Sequence, residues 1–150
     1  MQSPPSQLHQ LLPAVITCVV ARRLASSPAD DHWSLREEAA RTLVLACRKF
    51  GDRYATLRAR ILRTLCEALG PDRPLPTRYG GIVGLALFGP RAVDAFLLPV
   101  ATVYWDSWEA ALEKEEKMGK RFEIRQCQTA LLVGSLLTTS SGQQISEMAF

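Results

Sequence analysis

Apolar residues recur at steps of three and four along almost the whole chain, and no run of strict alternation is long enough to read as a strand. The periodicity predicts an all-α fold. A first helix is expected over about 6–24, with Pro13 close enough to its start to be absorbed or to bend it mildly, and the stretch ASSPADD ends it. The second is expected from about Asp31, whose side chain can cap it, to the Gly51 stop. It sets Leu35, Ala39, Leu43, Ala46 and Phe50 on one side and Glu37, Glu38, Arg41 and Arg48 on the other. A third, over about 53–69, turns Tyr54, Leu57, Ile61, Leu65 and Leu69 inward and stops at GPDRPLP. A fourth, over about 77–88, is closed by Gly89 and Pro90. From Pro90 to about Met118 a fifth helical region contains Pro99, where it is expected to kink or split, and it becomes strongly charged at EKEEKMGKR. A sixth helix covers about 122–137. The pattern thus predicts one domain over 6–137, followed by a polar tail, 138–150, that frays.

Helices in this antiparallel order form either a bundle or a stack of hairpins, and self-similarity at a fixed period separates the two. LLPAV at Leu11, LRARI at Leu57 and LLPVA at Leu97 align through Pro13, Ala59 and Pro99 at steps of 46 and 40 residues. Each lies early in the first helix of a hairpin. In the second helices Arg36, Arg78 and Arg125 fall 42 and 47 residues apart, and KFG at 49–51 and LFG at 87–89 end two of them alike. Periods of 40 to 47 belong to HEAT and armadillo repeats, whose hairpins bury their apolar faces only against their neighbours. The expected architecture is an α-solenoid of about three HEAT-like hairpins.

Composition narrows the chemistry. With 47% hydrophobic residues and 18 basic against 15 acidic side chains, the 150 residues suit one globular unit, and a formal charge of +3 does not mark a dedicated nucleic-acid binder. Cys18, Cys47, Cys66 and Cys127 stand far apart in apolar helical segments, without zinc-site or disulfide-framework spacing, so reduced buried thiols and an intracellular protein are expected. The uncharged run from Leu11 to Ala21 is too short to span a bilayer, and Arg22 and Arg23 follow it rather than precede it as in a signal peptide.

Several residues invite a chemical reading and do not support one. YGGIVGLALFG contains Gly80, Gly81 and Gly84, but no strand precedes it and no Lys-Ser or Lys-Thr pair follows, so close helix packing is expected rather than phosphate binding. His9 and His32 have no partner at metal-ligand or triad spacing. Trp33, Trp105 and Trp108 are either partner anchors or packing between hairpins. No catalytic, cofactor or metal set is detectable, and the expected protein is a rigid docking surface rather than an enzyme, with no membrane or small-molecule substrate. Arg53, Thr56, Arg60, Arg63 and Glu67 share the polar face of the third helix, with Arg48 and Lys49 closing the helix before it. A solvated face is the plain reading of this stripe. As a contact surface it would meet an acidic segment of another subunit or a DNA phosphate backbone.

LHQLLPAVITCVVARRL, DDHWSLREEAARTLVLACRKFG and YATLRARILRTLCEALGPDRPLPTRYGGIVGLALFGPRAVDAFLLP together resemble the C-terminal HEAT-repeat domain of the sixth TATA-binding-protein-associated factor. The resemblance is close from Leu8 to Pro99 and loose in the charged fifth and sixth helices; DDHWSLRE, ACRKFG and RYGGIVGLALFGP are its most specific words. It implies a nuclear scaffold subunit of TFIID, or of a SAGA-type coactivator, in RNA polymerase II transcription initiation, touching other subunits and lying near promoter DNA. The histone fold and linker that precede this domain in the family are absent from the sequence. Arg36, Arg78 and Arg125 can be read as a ligand-binding ladder or as repeat architecture, and likeness to HEAT repeats implies the second, with Asp31 and these arginines linking hairpins by charge-assisted hydrogen bonds. The competing expectation is a helical adaptor unrelated to transcription.

Overall fold

Residues 5–25, 30–50 and 55–149 are described by the structure, a computed structural model, and they form helices and turns with no strand. The first helix, α1 (Pro5–Val20), carries Pro13 in its interior, and the Pro13 carbonyl accepts the Thr17 hydroxyl at 2.8 Å. It ends sooner than expected, with the Ala21 N–H still reaching the Thr17 carbonyl at 2.9 Å.

Helix α2 (His32–Phe50) starts at Asp31 as its sequence dictates. One Asp31 oxygen accepts the Ser34 backbone N–H at 3.1 Å and the other accepts the Ser34 hydroxyl at 2.6 Å, an N-terminal cap. Those bonds, the hydroxyl's above all, hold the Asp31 carboxyl below its ordinary pKa. The buried row of α2 is Arg36, Ala40, Leu43 and Cys47, while Leu35 is 47% exposed. The expected face is therefore one residue out at its start, where an arginine takes the inward position that the apolar pattern gives to Leu35.

In α3 (Ala55–Glu67) Leu57, Ile61 and Leu65 are buried, whereas Tyr54 lies outside the described residues. Next, α4 (Leu75–Phe88) begins between Pro74 and Pro76, which cost nothing in a first turn whose N–H groups have no intrahelical acceptor. Gly89, with φ 113°, turns the chain into the short α5 (Pro90–Ala92). A π-helical stretch, Val93–Leu97, joins it to α6 (Leu98–Lys114). There the Leu98 N–H reaches back five residues to the Val93 carbonyl, and the widened turn ends immediately before Pro99, the position expected to disturb this helix. The last helix, α7, runs Met118–Ala149.

The second helices of successive hairpins, α2, α4 and α7, lie side by side as in a HEAT-type solenoid, and α4 also packs on α1, α3 and the π-helical stretch. Being surrounded, α4 is apolar or small over most of its circumference. Its own Ile82 and Leu85, and Val19, Leu43, Ile61, Leu65 and Leu97 around it, are within 1% of full burial. Trp33 meets Tyr79 edge-on at 4.8 Å and Phe122 at 6.2 Å, and Trp108 lies 5.6 Å from Tyr104. Trp33 and Trp108 are buried, so they serve packing, while Trp105 is half-buried on an open groove between α6 and α7. No helix among the described residues is long and apolar enough to cross a membrane.

Candidate functional site

Three arginines on second helices close the turns of their own hairpins. Arg36 is wholly buried; its Nη1 donates to the Val19 carbonyl at 3.0 Å, and its Nε donates to Nδ1 of His32 at 3.1 Å. Val19 is near the end of α1, where carbonyls lack helical partners and the helix dipole favours a cation. Burial still dominates the electrostatics and pushes the Arg36 pKa down to about 10. It likewise lowers the pKa of His32, with the Arg36 charge adding to the effect, and keeps that ring neutral and able to accept. Arg36 Nη2 is buried without a hydrogen-bond acceptor among the described residues.

Arg78 repeats the arrangement in the second hairpin. Its Nε donates to the Arg73 carbonyl at 2.9 Å and its Nη2 to the Pro71 carbonyl, while its guanidinium lies 5.3 Å from the Tyr104 ring centre. Tyr104 in turn donates to the Leu69 carbonyl, tying α6 to the turn before α4. In the third hairpin the carbonyl contact is made by Arg121, whose Nη1 donates to Leu112 and, at 3.0 Å, to Glu115. Arg125, the position that sequence spacing picks, instead holds Glu109 at 3.6 Å and Gln128 at 3.1 Å, on a half-exposed surface between α6 and α7. Arg36, Arg78 and Arg121 are 42 and 43 residues apart, a more even interval than 42 and 47, and that evenness is the signal that identifies the third member. Asp31 bonds Ser34 of its own helix rather than an arginine.

Gly80 permits the approach that Arg36 fastens. A Cβ at Gly80 would lie 1.8 Å from the Val19 carbonyl oxygen, the same oxygen that accepts Arg36. Gly81 and Gly84 face α3 instead, where a Cβ would come within 2.9 Å of the Leu65 carbonyl or 2.8 Å of its side chain. These glycines serve close packing of α4, and the Tyr79 hydroxyl adds a 2.7 Å bond across to Glu37 of α2.

The cationic stripe divides. Arg48 and Lys49 are exposed at the end of α2, and Lys49 lies 5.6 Å from the Phe50 ring centre. Arg63 is 82% exposed and holds Glu67 at 3.6 Å, whereas Arg60 lines a cleft between α3 and α1. Arg53 lies outside the described residues. Arg58, off the stripe, stacks 5.7 Å from the Phe88 ring centre, a position that depends on where α4 ends and has no counterpart in local sequence. No group of three or more His, Cys, Asp or Glu that could hold a metal occurs among the described residues, and the four cysteines are free thiols.

Residues 5–102 match the sequence profile of the TAF6 C-terminal HEAT repeat domain. The chain belongs to that family. It is 41% identical over 128 residues to transcription initiation factor TFIID subunit 6 of Arabidopsis thaliana, covering 83% of this chain and 23% of the relative. It is 38% identical over 134 residues to the SAGA complex/transcription factor TFIID complex subunit Taf6 of Schizosaccharomyces pombe, covering 87% and 29%. With the human TAF6-like RNA polymerase II p300/CBP-associated factor-associated factor 65 kDa subunit 6L it shares 38% over 105 residues, 69% of this chain and 17% of that protein. The chain thus spans about a quarter of the length of the TFIID and SAGA relatives. The TAF6 C-terminal HEAT repeat match takes in α1 to α4 and ends early in α6, close to the Pro99 limit of the resemblance in the sequence itself.

Proposed function

We propose that this chain is a non-catalytic scaffold within a TFIID- or SAGA-type assembly, working in the nucleus at RNA polymerase II transcription initiation. The observation that carries the proposal is the family match over residues 5–102 on a stack of hairpins fastened turn by turn through Arg36, Arg78 and Arg121. A stack held this way presents fixed faces, which is what a subunit that positions other subunits requires. Its functional unit spans 6–137, with 138–150 a polar extension, and its contact residues are Arg48 and Lys49 at the end of α2 and Arg60 and Arg63 on α3, with Arg53 between the two pairs in the sequence. An adaptor outside transcription is the weaker reading, since the relatives described above carry transcription names.

The test is affinity purification of the tagged chain from its own cells, with nuclear fractionation and mass spectrometry of the eluate. Subunits of TFIID or of a SAGA-type complex should elute with it in near-stoichiometric amounts. Recovery from the cytoplasm without either set would overturn the proposal.

A further inference from the structure

Helices α1 and α3 both pack on α4 and leave a cleft of about 120 Å3 between them. Leu12, Pro13 and Ile16 form one wall, and Leu57, Arg60 and Ile61 the other. The wall is mostly apolar, and its one charged side chain, Arg60, makes no ion pair among the described residues. Leu11, next along α1, is 63% exposed. Arg63, a turn beyond Arg60, holds Glu67 only as an exposed pair, which a competing carboxylate can replace at small cost. Charge is also segregated along the sequence: between Thr42 and Leu62 the acid Asp52 stands against Arg48, Lys49, Arg53, Arg58 and Arg60.

We propose that this cleft docks an acidic segment of a partner protein, which inserts one large apolar side chain between α1 and α3 and sets a carboxylate on Arg60. Both halves of that chemistry are needed. A purely apolar segment would cover Arg60 without pairing it, leaving a desolvated charge. A nucleic-acid backbone would satisfy the cations but has no apolar knob to fill the cleft. On a helical partner the two groups would stand three or four residues apart, the spacing that shares one face. The inference rests on the reading of the chain as a docking module and is independent of which assembly it joins.

The test uses the full 150-residue chain. A displayed library of random dodecapeptides is selected on it, with depletion on the Arg60→Glu variant, and the strongest binder is synthesised and titrated by fluorescence anisotropy. Recovered peptides should carry Asp or Glu three or four positions from Phe, Leu, Ile or Trp. The binder should lose at least tenfold in affinity on Arg60→Glu and on Arg60→Gln, and at least tenfold when its apolar residue becomes Ser. Arg60→Lys, which keeps the charge, and Lys120→Glu, on α7, should stay within threefold of wild type. Circular dichroism should show unchanged melting for the Arg60 variants, and Arg60→Gln alone decides if the Glu variant melts early. Recovery of no binder, of binders without acidic enrichment, or of binders indifferent to Arg60→Gln overturns the proposal, as does equal displacement of the peptide by duplex DNA. Co-purification with TFIID or SAGA subunits is a separate readout, so the docking cleft and the assembly assignment can fail independently.

Discussion

In an unhindered helix a Gly→Ala change stabilises by about 1 kcal/mol; at Gly80 of α4 the opposite is expected. The added methyl would sit 1.8 Å from the Val19 carbonyl oxygen and 2.8 Å from its carbon. Restoring an ordinary C···O separation of about 3.3 Å requires the end of α1 to withdraw by roughly 1.5 Å. Backbone shifts forced by overpacking cost about 1–3 kcal/mol. This one also carries away the oxygen that accepts Arg36 Nη1 at 3.0 Å. Losing that charge-assisted bond costs about 1.5–3 kcal/mol more, and the propensity gain recovers only about 1 kcal/mol. The net destabilisation is about 1.5–5 kcal/mol, a fall in Tm of roughly 3–20 °C for a domain of this size. Thermal unfolding followed by circular dichroism measures it, with Gly119→Ala as control, because a Cβ at Gly119 meets nothing within 4 Å. A Gly80→Ala protein that melts at or above wild type would refute the reasoning.

Three further outcomes follow from the same structure. Arg121→Ala, which removes donors to two carbonyls, should cost about 1.5–3 kcal/mol in urea unfolding, against under about 1 kcal/mol for the half-exposed Arg125→Ala; equal costs would contradict the assignment of the third turn clamp to Arg121. Because the folded His32 pKa is depressed below its ordinary 6.5, the unfolded chain binds more protons near that pH, so stability is held above it and lost as pH falls through the histidine range. His32→Asn should flatten that slope between pH 7 and 5, and an unchanged slope would count against a neutral His32 as the acceptor of Arg36. Burial pushes the Cys127 thiol up to about 12 while it donates to the Leu75 carbonyl at 3.3 Å, so iodoacetamide at pH 8 should label it only after unfolding, as peptide mapping will show.

Much of the fold is legible because helix spans rest on local periodicity and on breakers that act locally. Asp31 caps α2 and Gly89 ends α4 as their chemistry requires, and Pro99 disturbs its helix through a π-helical stretch just upstream. The inward position of Arg36 is not readable from hydropathy, since a buried guanidinium needs the α1 carbonyl that tertiary structure brings to it. Spacing finds Arg36 and Arg78 but passes over Arg121, because Arg121 closes a run of charges that reads as solvated while Arg125 lies inside the apolar-periodic segment expected as the sixth helix. The cleft beside Arg60 has no local signature at all, being the gap left when two helices dock on a third.

The central place of α4 bears on how this stack comes apart. Long solenoids can fray repeat by repeat, because each unit answers only to its neighbours. Here one helix touches α1, α2, α3, α5, the π-helical stretch and α7, so every hairpin shares it. Opening any single hairpin exposes part of α4, and α4 cannot leave without releasing all of them. Its amides should therefore exchange with solvent only through global unfolding, and a cut between α3 and α4 should leave two fragments that each lack a core, rather than two shorter solenoids.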